Sequence, residues 1–214
     1  MTGLVTNSVI SGNNITASSS NGMTINVSDG SYGSISNNQV YSNIGRGILI
    51  AGTINSYFDI SNNSIYNNTE LGIDLAVNVG TTGVTANDVD DVDAGSNLLQ
   101  NYPVLTSADL VGGNWNIVGT LNGETGQTYR IDFYANSNFG DAEGQTFLGS
   151  TNVTITDATT PFDVSINASF PAVATYSAIT ATATRTSNLP VGATGATSEF
   201  SALVAANSIY VVDN

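Results

Sequence analysis

Three stretches of this chain carry one pattern at one fixed interval: Ile10-Ser11-Gly12-Asn13-Asn14-Ile15, Ile35-Ser36-Asn37-Asn38-Gln39-Val40 and Ile60-Ser61-Asn62-Asn63-Ser64-Ile65. A second signature keeps the same 25-residue step, in Gly22-Met23-Thr24-Ile25, Gly47-Ile48-Leu49-Ile50 and Gly72-Ile73-Asp74-Leu75. No insertion or deletion breaks the register. A constant period of this size marks a stack of repeats, in which no unit can bury its apolar face alone.

Within each repeat the apolar residues alternate with small polar ones or run together briefly, over stretches too short for a helix. Gly, Asn and Ser separate them, so each repeat reads as one turn of a coil built from short strands and tight corners, stacked about 4.8 Å from the next. Equal offsets place like residues above one another. Asn13, Asn38 and Asn63 then form an internal column whose amides hydrogen-bond up and down. If Val40 and Ile65 face inward, Tyr41 and Tyr66 face out as a short aromatic ladder, either simple packing between coils or a platform for sugar rings.

Through its "I-S-N-N-x-I-Y-x-N" and "G-I-x-L" repeats the sequence resembles the right-handed parallel β-helix family, in the pectate-lyase-like sense, over about residues 4 to 80. The resemblance implies a fold more than a function, because that architecture carries lyases, hydrolases and adhesins alike. The expected organisation is all-β: coils over residues 1–80, an Asp-rich capping loop and junction over 81–103, a β-sandwich over 104–206 and a tail strand over 207–214. The first coil begins with no capping helix ahead of Leu4, which predicts either further coils upstream or end-to-end contact with another molecule.

The charge balance narrows the partners. Against 17 acidic residues stand three basic ones, all arginine, with no histidine, giving a net charge of −14. Nucleic acid and anionic membrane faces demand basic patches, so both are excluded, and no apolar run is long enough to span a membrane. The absence of cysteine rules out disulfides and thiol nucleophiles; the absence of histidine rules out histidine-based triads. The Ser, Thr, Asn and Gly content suits an exported bacterial β-protein at the cell surface or beyond it.

Asp88, Asp90, Asp91 and Asp93 crowd into six residues with no lysine to neutralise them. With Asn87 and Asn97 nearby they offer the hard oxygen ligands that Ca²⁺ takes, usually about six to eight at a time. The spacing is not an EF-hand, since the glycine is misplaced and the final glutamate is missing. A bound calcium here would order the loop that closes the coils; the alternative is a solvated acidic loop.

After the junction, alternating runs near 115–121, 128–135, 146–156, 162–170, 177–184 and 199–205 predict an Ig-like sandwich. Its expected core is Trp115, Ile117, Phe133, Phe147, Leu148, Ile166, Ile179 and Phe200. Arg130 beside Asp132 reads as a surface charge pair, and Asp141 with Glu143 as a solvated turn or a second metal site. The ordered set "G-I-D-L", the Asp-rich run, Leu98-Leu99-Gln100-Asn101-Tyr102-Pro103-Val104-Leu105 and the motifs that follow it resembles the C-terminal passage of large bacterial surface proteins. That resemblance implies a non-catalytic extracellular module. The final apolar run, Ile209, Tyr210, Val211 and Val212, is either an edge strand or a strand that pairs with a neighbour, which makes head-to-tail self-association an expectation. The alternatives are a carbohydrate-binding adhesin module and, less favoured, a polysaccharide lyase or hydrolase. Against catalysis, Arg46 is the one basic residue in the coils, and its equivalents Asn21 and Leu71 are not carboxylates.

Overall fold

The structure is a computed structural model that describes residues 4–52, 55–77, 80–81, 83–138, 140, 142–157, 159–167 and 177–208. Its first part is a short parallel β-helix of three coils. Each coil contributes one strand to each of three sheets: β1 (Ser8–Ser11), β4 (Ser31–Ser36) and β7 (Ser56–Ser61) in the first; β2 (Asn14–Thr16), β5 (Gln39–Tyr41) and β8 (Ser64–Tyr66) in the second; β3 (Met23–Asn26), β6 (Ile48–Ala51) and β9 (Ile73–Ala76) in the third. All pairings are parallel and in the register the repeat predicts, Ile10 against Ile35 against Ile60 and Ile25 against Ile50.

The corners explain the polar half of the repeat. Gly12, Asn37 and Asn62 occupy one corner with φ of 70, 57 and 53°, and Ala17, Ser42 and Asn67 occupy the next with φ of 59, 55 and 56°. These are left-handed conformations, which glycine and asparagine adopt most readily. At the first corner, the residue after the turn points inward and starts a ladder: Asn13 Nδ2 donates to Asn38 Oδ1 and Asn38 Nδ2 to Asn63 Oδ1, both at 2.9 Å. A second ladder follows the second corner, with Asn43 Nδ2 donating to Asn68 Oδ1 at 2.8 Å. Ile35, Val40, Ile48, Ile50 and Ile65 fill the space between, and all are buried.

The second part is built around its own core. β10 (Val104–Val111), β11 (Asn114–Leu121), β12 (Thr128–Asn136), β13 (Thr146–Thr154), β14 (Thr160–Asn167), β15 (Ala178–Arg185) and β17 (Val204–Ser208) hydrogen-bond in the order β13-β12-β15-β17-β10-β11-β14, with β16 (Ala196–Thr197) on β15. The pairings are antiparallel apart from β10 with β17. Residues from β10 to β15, including Trp115, Ile117, Tyr129, Phe133, Leu148, Ile166 and Ile179, share one buried cluster.

Two expected core residues go elsewhere. Phe147 and Phe200 pack with Tyr134 against the coil residues instead. The strand expected over 199–205 begins only at Val204: Ser198 and Ser201 still bond to β15, while Glu199 and Phe200 between them turn to the coils. The tail residues Ile209, Tyr210, Val211 and Val212 lie outside the described residues, as does Asp141.

Replacing Asn38, which is 1 % exposed, with alanine removes a ladder rung and strands the buried donors and acceptors on either side. Urea melts should show a loss of at least about 2 kcal/mol for Asn38→Ala, whereas Asn14→Ala, on an exposed position of β2, should stay within about 0.5 kcal/mol of the parent.

Candidate metal centre

A stack of parallel strands ends in a row of unsatisfied N–H and C=O groups, so something must follow the third coil. Here side chains from the junction and the second part, with one backbone carbonyl, take the place of a fourth coil. On the first sheet, Phe58 N donates to Asn97 Oδ1 at 2.7 Å and Ile60 N to Thr197 Oγ1 at 2.8 Å. On the second, Ile65 N donates to Gly144 O at 2.8 Å and Asn68 Nδ2 to Glu143 Oε1 at 2.8 Å, so a carboxylate terminates the second asparagine ladder. On the third, Leu75 N donates to Glu199 Oε1 at 2.9 Å, and Ser96 Oγ donates to Ala76 O at 2.8 Å. Phe200 plugs the apolar centre, so close to Gly72 and Gly144 that a Cβ at either position would lie 2.9 or 2.6 Å from its ring. Arg130 ties the flank, at 2.8 Å from Asp59 on β7 and 3.0 Å from the buried Asp132 on its own strand. The sequence placed Arg130 and Asp132 on the surface; they are a partly buried bridge between the two parts.

The acidic loop runs into this cap. Its 3-10 turns, Val89–Asp91 and Ser96–Leu99, carry left-handed φ angles at Asp90, Asp91, Asn97, Leu98 and Leu99. Asn101 organises the first turn: Asp88 N donates to its Oδ1 at 2.9 Å, its Nδ2 donates to Asp88 O at 2.9 Å, and its own N donates to Asp91 Oδ1 at 2.8 Å. The result brings ligand oxygens of Asp88, Asp91 and Asp93 within 4.8 Å of one another. Asp88 Oδ1, Asp91 Oδ2 and Asp93 Oδ1 are all buried with no hydrogen-bond partner among the described residues, as is Oε1 of Gln100 later in the same loop.

Of the six residues the sequence nominated, these three converge and three do not. Asp90 is exposed, with its N–H bound to Asn122 Oδ1. Asn87 is paired with the backbone of Tyr102 through both its amide atoms. Asn97 is wholly engaged with Phe58 and Thr197. Gln100 was not singled out, since an amide beside an apolar pair reads as filler in a sequence.

Electrostatics agree with the geometry. Burial pushes the Asp91 carboxyl up to about 7, the Asn101 N–H pulls it back, and the charges of Asp88 and Asp93 raise it further. Asp93 is raised by burial and by Asp88. Asp91 and Asp93 thus resist ionisation, with the charge of Arg185 offsetting only part of the effect on Asp91, and a divalent cation removes that resistance.

Residues 1–107 match the family described as "Right handed beta helix region". The chain belongs to that family. No curated protein matches the chain closely enough to count as a relative. The β-helix family supplies the coils, whereas the acidic loop and the cap are read from this chain's own residues.

The cap has its own pH signature. Burial pushes the Glu199 carboxyl from 4.5 up to about 8, although Leu75 and Thr85 donate to it. The folded chain thus keeps a proton the unfolded chain has already released, so the stability contributed by Glu199 is fully present below about 4.5 and is lost as pH rises through about 8. Asp74 and Asp132 are raised by burial and act in the same direction. Thermal melts in chelator should therefore decline between about pH 5 and pH 9, with a shallower decline in Glu199→Gln, which cannot ionise.

Proposed function

We propose that this β-helix protein is an extracellular structural module, in which coils over residues 1–80 are closed by an Ig-like β-sandwich over 104–206 and the junction over 81–103 is stabilised by bound calcium. The observation that carries the reading is the set of three converging carboxylates, each with one buried oxygen that nothing among the described residues satisfies. Hard oxygens at this spacing suit Ca²⁺, with backbone and water completing its shell. The net charge of −14 favours cations over any polyanionic partner. Seven strands around one core holding the lone tryptophan support the sandwich.

β1, β2 and β3 each pair on one side only among the described residues, so neighbouring coils, of a longer surface protein or of a second copy, are the partners this reading assigns to the first coil. Catalysis forms no part of it. Arg46 is held at 2.5 Å by Asp74 and at 3.4 Å by Glu70, which ties up the one cation beside the cleft those carboxylates line.

Thermal melts test the metal. Excess chelator should lower Tm by about 5–10 °C relative to excess calcium, the size expected for a saturating ligand on a chain this long. An unchanged melt would refute a structural calcium.

One observation favours a second reading, as an adhesin module for glycans. Tyr41 and Tyr66 stack with ring centroids 4.9 Å apart and planes 1° from parallel, a half-buried flat face of the kind sugar rings pack on. If polysaccharide binds there, Tyr66→Ala should weaken retention on immobilised glycan at least about tenfold, the loss of one aromatic contact of about 1.5 kcal/mol, with little change in Tm. Equal retention of parent and variant would eliminate this face.

A further inference from the structure

The acidic loop is anchored on both sides of the junction, and the two anchors lie very close in sequence. On one side it belongs to the second part: Asp90 N donates to Asn122 Oδ1 at 2.8 Å, and Asn101 Nδ2, while holding Asp88 O, also reaches Asn122 O at 3.2 Å. Asn122 directly follows β11. On the other side it belongs to the coils: Gly95 N donates to Asn55 Oδ1 at 3.2 Å, Ser96 Oγ reaches Gly52 O and Ala76 O, and Asn97 takes Ser56, Phe58 and Thr197. A single residue, Ala94, separates the last carboxylate of the cluster from the first contact with the coils.

This segment is held in a shape it would not choose. Asp90, Asp91, Asn97, Leu98 and Leu99 have φ of 63, 54, 49, 64 and 51°. Such conformations are costly for residues with a Cβ and persist only where surroundings over-determine them. Three mutually repelling carboxylates within the same stretch add to that cost, and Asp91, only 8 % exposed, leaves Oδ2 unpartnered where the three side chains meet. The stretch between the anchors is therefore stable in this geometry when positive charge fills the centre, and tends to relax when it does not.

We propose that a divalent cation held by Asp88 Oδ1, Asp91 Oδ2 and Asp93 Oδ1 is the lock that makes the coils and the second part unfold as one body. The proposal rests on the calcium reading above and adds the consequence for cooperativity. With the cation in place, strain at the loop is compensated and each part lends its stability to the other through residues 88–101. Without it, the loop gives up its hold on Asn122 or on the coil end, and the coil core, which then meets the second part only through Tyr134, Phe147, Phe200 and the direct cap contacts, melts apart from the strand core.

Differential scanning calorimetry of the full chain, in excess calcium and in excess chelator, reads the coupling; terbium luminescence with calcium competition reads binding. Expected are one transition in calcium, two in chelator, and a new proteolytic cut between residues 83 and 95 in chelator alone. Asp91→Asn should weaken terbium binding by more than about tenfold and show two transitions at calcium levels that give the parent one. Asn97→Ala, which removes a coil anchor and no carboxylate, should split the transition in calcium while leaving terbium affinity unchanged. If terbium binds competitively with calcium but the parent melts in a single transition in chelator, the direct contacts of Glu143, Glu199 and Phe200 suffice and the lock is overturned, while the metal site stands. If no cation binds, both the lock and the calcium reading fall.

Discussion

The rest of this structure depends on a backbone requirement: every strand in a parallel stack must hand its N–H and C=O groups to the next coil, and the last coil has none to receive them. A β-helix can meet that requirement with a helix or with extra strands. This chain meets it with isolated side chains and one loop carbonyl from the junction and the all-β part that follows it, namely Asn97, Thr197, Glu143, Glu199 and Gly144, arranged around the ring of Phe200. Because these groups come from three segments far apart in sequence, the cap exists only once the second part has folded. Stability of the coils is thereby tied to the strands that follow.

The coils were readable because a 25-residue period constrains both faces of each strand at once. Val40 and Ile65 turned inward, Tyr41 and Tyr66 outward, and the Asn13, Asn38 and Asn63 amides aligned, all from spacing. The second ladder, Asn43 over Asn68, carried the same signal but is cut short at Ser18, so it stands out less. The cap was not readable. Glu143 sits in what looks like a solvated turn, and Glu199 and Phe200 sit in what looks like an alternating strand, yet each faces a coil more than 70 residues away in sequence. Local pattern carries no information about such a partner.

The acidic loop falls between these cases. Crowded aspartates announce a cation, and three of them converge. Which three could not be read, because Asp90 and Asp91 are neighbours that the left-handed turn sends in different directions, one to solvent and one inward. Asn97 was assigned by proximity in sequence and is used by the coils instead. Burial raises Asp74, Asp91, Asp93, Asp132 and Glu199 alike, so the ionisation of these carboxyls opposes the chain's own folding as pH rises.

The asparagine ladders have a direction. In each, the amide NH₂ of one coil reaches the amide oxygen of the next, so this amide-to-amide bond points toward the C-terminal end, and in the second ladder the carboxylate of Glu143 receives the last one. The opposite end must then show oxygen, at Asn13. Two such open ends set face to face would bring lone pair against lone pair, so the column of amides disfavours head-to-head contact at the first coil.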